Sequence, residues 1–197
     1  MRGDIKMKMD KLLYVDVKID EKEVRASDLS TLVYFVEEIS KAIAVSEAFD
    51  LLGFFNFPTP EKFQIVQRYQ RQAEIPAKLE GLETGSAIVK VVISSSLFMW
   101  GLHTFLGKPI EEAWGSSNKR EALVMYIQER FFSGAEKAVN QKLTEIHRKK
   151  NLIVSDVKVH SSRDQIQKID IALKRTNIEV IKQTDEELIS DFSKRLR

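Results

Sequence analysis

The feature that most constrains this chain is a long segment without charged side chains. Residues 91–107, VVISSSLFMWGLHTFLG, lie between Lys90 and Lys108, whereas the sequence on both sides is rich in charged residues. A segment of this kind forms either the buried centre of a globular fold or a membrane-spanning helix. The prediction for the rest of the chain depends on which of the two applies.

The length of the segment permits both interpretations, but its composition favours the first. One helix over Ala87–Gly107 would be about 31 Å long, enough to cross a hydrocarbon layer of about 30 Å. The segment divides, however, at Ser94-Ser95-Ser96. The part before it is β-branched, and the part after it forms a helix of about 15 Å, capped by Ser95 or Ser96 and too short to cross. We therefore predict a strand followed by a helix, and keep membrane association through 87–107 as the alternative.

The overall composition is that of a globular protein with balanced charge. The 197 residues, of which 43% are hydrophobic and 30% charged, suit one domain or two small ones. The formal net charge of +2 does not favour nucleic acid as a partner. The absence of cysteine excludes disulfides, thiolate catalysis and Cys-ligated metal sites. No secretory signal is apparent in the charged N-terminal residues, so the predicted location is the cytoplasm, with membrane association as the alternative.

Alternation and helical spacing predict the elements of the N-terminal region. A period-2 pattern indicates a half-buried strand at Leu12–Ile19, and Thr84-Gly85 joins two further segments of strand character. Helical spacing and capping residues predict amphipathic helices. In chain order the predicted elements are a strand at 12–19, a helix at 28–47 capped by Ser27, an aromatic helix end and loop at 49–57, a helix at 59–75, strands at 77–83 and 86–93, and a short helix at 109–114.

The C-terminal region begins with a strong helix signal. Asn118-x-x-Glu121 is a capping box, and the apolar residues that follow recur every three or four positions. They predict one long helix near 118–150. A β-α-β-α segment follows, with strands at 152–160 and 178–181 and capping boxes that start helices at Ser162 and Thr184.

Together the elements predict an α+β fold, in which an antiparallel or mixed sheet packs against amphipathic helices. Residues 1–115 form an N-terminal α+β region with the buried hydrophobic centre. Residues 116–197 form a helix-rich C-terminal region. No stretch rich in proline, glycine and serine separates the two regions, so they are predicted to pack as one unit.

A search for chemical motifs identifies no catalytic, cofactor-binding or metal-binding residues. The three histidines, His103, His147 and His160, do not have the spacing that would place two ligands on one face of a helix or strand. Adjacent acidic residues point about 100° apart on a helix and do not face each other as a catalytic pair. The chain is not predicted to be an enzyme or to need a cofactor.

Two sets of residues remain as candidates for a function. His103 is a titratable side chain among apolar neighbours, although a boundary histidine with a backbone partner explains it as well. A basic surface could contain Arg68 and Arg71 together with Arg148, Lys149 and Lys150. The last three are also explained as cations at a helix C-terminus, which the helix dipole favours.

The function predicted from the sequence is non-enzymatic protein interaction. The extended amphipathic helix, the aromatic-rich apolar segments and the missing chemistry favour an adaptor with a protein partner or self-association. Membrane association through 87–107 is the alternative. Further alternatives are a nucleic-acid-binding protein, which the balanced charge does not favour, and an enzyme without a recognisable motif.

Overall fold

The computed structural model describes residues 10–20, 24–72, 77–83, 87–146, 152–163 and 165–175. Within these residues the α+β class predicted from the sequence is confirmed. The elements in chain order are β1 (Leu12–Ile19), α1 (Ala26–Phe54), α2 (Thr59–Gln72), β2 (Ala77–Glu83), β3 (Ile88–Ser94), α3 (Ser95–Leu106), α4 (Lys108–Gly115), α5 (Ser117–Arg130), α6 (Ala135–Ile146), β4 (Leu152–Ser162) and β5 (Gln165–Arg175).

The strands form one mixed five-stranded sheet in the order β2-β3-β1-β5-β4. Neighbouring strands are antiparallel except β1 and β5, which are parallel. At the centre, Val15 of β1 lies opposite Val91 of β3 and Ile169 of β5. Strands from the 1–115 region and from the 116–197 region therefore pair directly within a single sheet.

The two faces of the sheet differ in polarity, and the helices cover the apolar one. The buried side chains of β1, Leu13, Val15 and Val17, alternate with exposed or half-buried ones, as the period-2 pattern predicts. Helix α1 packs against β1 and β3 and also contacts α2 and α6. It is therefore the central helix of a two-layer structure around one hydrophobic core.

The uncharged central segment is a strand followed by a helix, as predicted. Strand β3 ends at Ser94, and α3 begins with the next residue. The capping residue is Ser94 rather than Ser95 or Ser96, since the Ser94 Oγ accepts a hydrogen bond of 3.3 Å from the Leu97 N–H. In the described part of the chain, none of the helices combines the length and the apolar character that a membrane crossing requires.

The prediction of one long helix near 118–150 is wrong, because residues 131–134 separate α5 from α6. Phe131 has an extended backbone, and Phe132 adopts a positive φ of 67°. Both phenylalanines are fully buried. At the interruption both rings pack in the core, with their centroids 4.8 Å apart.

The prediction of a helix at 162–175 is also wrong, because these residues form the end of β4, a turn and strand β5. The helix signal, Ser162-x-x-Gln165, lies at the turn of a β-hairpin. Ile169, Ile171 and Leu173 are buried at every second position. Strand β5 pairs with β1 on one edge and with β4 on the other, so its backbone forms hydrogen bonds on both edges. The local helix pattern contains no information about these two partner strands. The predicted strand at 178–181 and helix from Thr184 lie outside the described residues.

Helix α1 is longer than the predicted helix at 28–47. Its N-cap is Arg25 rather than Ser27. The Asp28 carboxylate accepts a 2.8 Å hydrogen bond from the Arg25 backbone N–H and also binds the guanidinium of Arg175, which connects α1 to the end of β5. The aromatic segment at 49–57 is confirmed as a helix end and loop whose rings pack on the core.

Candidate functional site

The start of α3 is held firmly at the end of β3 by an aspartate and the serine triplet. Ser94 donates a 2.7 Å hydrogen bond to the Asp10 carboxylate, and the Ser96 backbone N–H donates another of 3.0 Å. Partial burial opposes ionisation of Asp10, but the hydrogen bonds from Ser94, Ser96 and Ser95 outweigh it and lower the pKa of this carboxyl. These contacts set the direction in which α3 leaves the sheet.

Helix α3 buries one face and presents the other to solvent. Phe98, Leu102 and Leu106 are buried, and the Phe98 ring lies 5.8 Å from that of Tyr69 and 5.2 Å from that of Phe131. On the opposite face the side chain of Trp100 is 76% exposed, and that of Leu97, one turn earlier, is 46% exposed. Tryptophan has a large apolar area, and this degree of exposure leaves most of it in water.

A tight corner at Gly107 brings α4 next to this face. Gly107 has a positive φ of 48°, and its N–H donates to the carbonyl of His103 at 2.8 Å. His103 Nε2 lies 3.4 Å from Glu111 Oε1, and this contact joins α3 to α4. Trp114, three residues after Glu111 and on the same side of α4, is 46% exposed.

These residues form a continuous chain of neighbours, which we call the tryptophan surface: Leu97, Trp100, His103, Glu111 and Trp114. Two exposed tryptophans and a leucine provide apolar area, and the histidine and glutamate add polar groups between them. Tryptophan is among the residues most enriched at the energetic centres of protein interfaces. The arrangement is suited to binding rather than to bond making or breaking.

The candidate residues from the sequence that the structure describes lie on separate helices. His103 belongs to the tryptophan surface, where its side chain is exposed and faces a carboxylate instead of lying in the core. Arg68 and Arg71 are exposed on α2. Arg148, Lys149 and Lys150 lie outside the described residues, so the basic surface is not brought together by the described part of the structure.

The tryptophans were missed by the sequence analysis, which assigned the whole of LFMWGLHTFL to the interior. The helical period contained the signal. Phe98, Leu102 and Leu106 recur every four residues and define the buried face, and Trp100 lies about 200° away from Phe98 around the helix. The segment contains few polar residues, and its composition alone therefore predicts a buried helix without indicating which side is exposed.

A groove between α1, α2 and α6 has a volume of about 730 Å³. Its apolar side includes Phe49 and Phe63, whose ring centroids lie 5.4 Å apart. Its charged groups pair with each other, since Lys142 lies 2.8 Å from Glu38 and 3.4 Å from Glu145. These pairs hold Glu38 and Lys142, and they do not identify a ligand.

The sheet face that is turned away from the core carries a network of alternating charges. Lys168 Nζ lies 2.9 Å from both Asp16 and Asp170, and His160 Nε2 lies 2.7 Å from the second oxygen of Asp170. Partial burial opposes ionisation of Asp170, but Lys168 and His160 outweigh it and lower the pKa of this carboxyl. The contacts of Lys168 with Asp16 and of His160 with Asp170 connect neighbouring strands, whereas Lys168 and Asp170 both lie on β5.

Neither a metal site nor a relative assigns a function. Among the described residues no group of three or more His, Cys, Asp or Glu side chains is placed to hold a metal ion. Comparisons with protein-family models, curated proteins and solved structures found no match for this chain. The function is therefore argued from the geometry of the tryptophan surface.

Proposed function

We propose that this chain is a non-enzymatic protein-interaction module that binds its partner through the tryptophan surface. The observation that carries the proposal is Trp100, which is 76% exposed on a helix whose opposite face is fixed in the core. Transfer of apolar surface out of water contributes roughly 25 cal/mol per Å². Covering this ring would therefore favour a complex by several kcal/mol before the cost of association is counted.

The rigid support of Trp100 strengthens the proposal. Hydrogen bonds from the serine triplet to Asp10 fix the N-terminus of α3, and the Phe98 ring is packed between aromatic neighbours. A side chain presented by a fixed element loses less conformational freedom on binding than one on a mobile loop. The surface is thus prepared for association without rearrangement of the backbone.

The charges around Trp100 favour protein over nucleic acid or an anionic membrane. On α4 and at the start of α5, Lys108 and Lys119 are matched in number by Glu111 and Glu112, so this part of the surface carries little formal net charge. Binding to phosphates or to anionic headgroups requires an excess of basic residues. Protein interfaces, by contrast, combine aromatic centres with a mixed polar periphery. The cytoplasm remains the proposed location.

The test is a comparison of three full-length proteins: wild type, Trp100→Ala and the control Val33→Ala. Val33 is an exposed apolar residue on α1, remote in sequence from the tryptophan surface. We expect partner proteins that are captured by wild type and by the control to be lost with Trp100→Ala. Vesicle sedimentation with anionic lipids is measured in parallel.

Two outcomes contradict the proposal. One is equal capture of the same proteins, including further copies of the chain, by wild type and Trp100→Ala. The other is Trp100-dependent sedimentation with vesicles and no Trp100-dependent protein binding, which would assign the surface to a membrane. Circular dichroism of all three proteins verifies that Trp100→Ala is folded, as expected for a change at an exposed position.

A further inference from the structure

We infer that the partner at the tryptophan surface is a second copy of the same chain, related to the first by a two-fold axis. The inference rests on the proposed function, since it names the partner of the surface proposed above. In a two-fold dimer the same patch is used by both copies, so the patch has to be complementary to itself. Three properties of the described residues meet this condition.

The first property is the distribution of charge. Acidic residues Glu111 and Glu112 lie on α4, and the basic residues Lys108 and Lys119 lie on α4 and α5. All four side chains are exposed. A two-fold rotation about an axis near Trp100 can bring the acids of one copy to the lysines of the other, and every such contact is then made twice.

The second property is that the charged groups are only loosely engaged within one copy. The distance between His103 Nε2 and Glu111 Oε1 is 3.4 Å, and that between Lys119 Nζ and Glu112 Oε2 is 4.0 Å. Exposed pairs at these separations contribute little to the stability of a single chain. The same side chains can change partners across an interface at little cost.

The third property is the apolar area at the centre. An aromatic side chain can bury up to about 250 Å², so the exposed parts of Trp100 and Trp114 represent roughly 300 Å². A standard interface buries about 800 Å² on each partner, of which slightly more than half is apolar. The two rings would supply most of that apolar part, and Leu97 adds to it.

The overall charge of the chain does not oppose self-association. The formal net charge is +2, so two copies repel each other only weakly at physiological salt. A surface that is neutral, aromatic at its centre and mixed in charge at its edge therefore meets a copy of itself without an electrostatic barrier.

The experiment measures the mass of the full-length chain by sedimentation equilibrium over a wide concentration range. We expect wild type and Val33→Ala to approach twice the chain mass as the concentration rises. Trp100→Ala and Leu97→Ser are expected to raise the dimer Kd, the former by at least about 30-fold, because the truncation removes a central aromatic contact from both copies.

Tryptophan fluorescence gives a second measurement. The chain contains two tryptophans, so Trp114→Phe leaves Trp100 as the only one. If Trp100 lies in the dimer interface, its emission shifts to shorter wavelength as the concentration of Trp114→Phe rises, in parallel with the mass.

The outcomes separate this inference from the proposed function. A monomeric wild type that still captures another protein in a Trp100-dependent manner overturns the dimer and leaves the proposed function in place. A dimer of unchanged Kd in Trp100→Ala shows that the copies meet at another surface and also overturns the inference. A monomer without Trp100-dependent protein capture contradicts both.

Discussion

At the scale of single residues, Glu47 is the most unusual group in the described structure. It lies on α1 with an exposed fraction of 1%, and neither carboxyl oxygen has a hydrogen-bond partner among the described residues. Burial raises the pKa of Glu47 to about 8. The backbone N–H of Phe132, which is near the carboxyl but not in hydrogen-bonding geometry, and the ammonium of Lys11 act against this increase, and Asp50 adds to it. The side chain is therefore protonated in the folded state at neutral pH.

The protonated Glu47 makes stability depend on pH in a defined direction. Between its unfolded pKa of 4.5 and its folded pKa of about 8, the folded state retains a proton that the unfolded state has released. The free energy of unfolding therefore falls as the pH rises through this range and levels off above it. From the size of the shift, the decrease attributable to Glu47 is at most about 5 kcal/mol.

The measurement is urea unfolding of wild type, Glu47→Gln and Glu37→Gln at several values between about pH 5 and about pH 9. We expect Glu47→Gln to remove most of the decrease, because the amide does not titrate. Glu37 is an exposed residue on the same helix, so Glu37→Gln should follow wild type. Parallel curves for wild type and Glu47→Gln would show that burial does not raise the pKa of this carboxyl.

At the scale of elements, the transition from β3 to α3 depends on one capping side chain. The Ser94 Oγ accepts from the Leu97 N–H and donates to Asp10, so one hydroxyl serves both the helix and the segment before β1. By contrast, the side chain of Ser116, the N-cap residue of α5, makes no capping hydrogen bond. Both serines are N-cap residues, but only the side chain of Ser94 caps its helix.

This difference predicts different effects of the same substitution. Ser94→Ala should lower the free energy of unfolding by about 1–2 kcal/mol, since it removes the cap and leaves Asp10 without its shortest hydrogen bond. Ser116→Ala should have an effect within about 0.5 kcal/mol. Chemical denaturation of both variants at neutral pH measures the two values, and equal losses would mean that the Ser94 contacts contribute no stability.

The break between α5 and α6 shows how an element boundary depends on burial. The Lys11 ammonium donates a 2.6 Å hydrogen bond to the carbonyl of Phe131, which is no longer bonded within a helix. Burial lowers the pKa of Lys11, and the Glu47 carboxyl opposes this effect when it is ionised. Where the helix is interrupted, the rings of Phe131 and Phe132 are buried, and the Phe131 carbonyl accepts a hydrogen bond from Lys11 instead of from a helix N–H.

At the scale of the whole molecule, the sheet makes the two halves of the chain dependent on each other. Strand β1 lies between β3, which is near in sequence, and β5, which is about 150 residues away. The ion pair between the buried Asp28 and the partly buried Arg175 adds a second connection between the same parts. Hydrogen bonds from Arg175 and from the Arg25 backbone lower the pKa of Asp28 against the effect of burial.

We therefore expect a fragment of residues 1–115 not to fold by itself. Without β5, the edge of β1 has no partner, and the inner faces of β1 and α1 lose Ile169, Ile171 and Leu173. Thermal unfolding followed by circular dichroism should show no cooperative transition for the fragment and one transition for the full chain. A cooperative transition of the fragment would establish that the first region is an independent domain.

Local patterns were sufficient for much of the fold. The strand at Leu12–Ile19, the division of the uncharged segment at the serines and the helix that starts at Thr59 follow from alternation, β-branching and capping, which act between near neighbours. Of the five residues of the tryptophan surface, only His103 was a candidate in the sequence prediction. The exposure of Trp100 was not predicted, because it depends on which face of α3 meets Tyr69 and Phe131.

The amino-acid sequence by itself determines the α+β class, the cysteine-free chemistry and the places where most elements begin, because these depend on composition and on contacts within a few residues. Tertiary structure decides that 165–175 is a strand, that the helix after Asn118 breaks at Phe131, and that Trp100 faces solvent. The first two outcomes bury apolar side chains and pair backbone groups, and the third follows because Phe98, Leu102 and Leu106 occupy the buried face of α3. The contacts that decide these outcomes join residues far apart in sequence, and a local sequence pattern does not contain them.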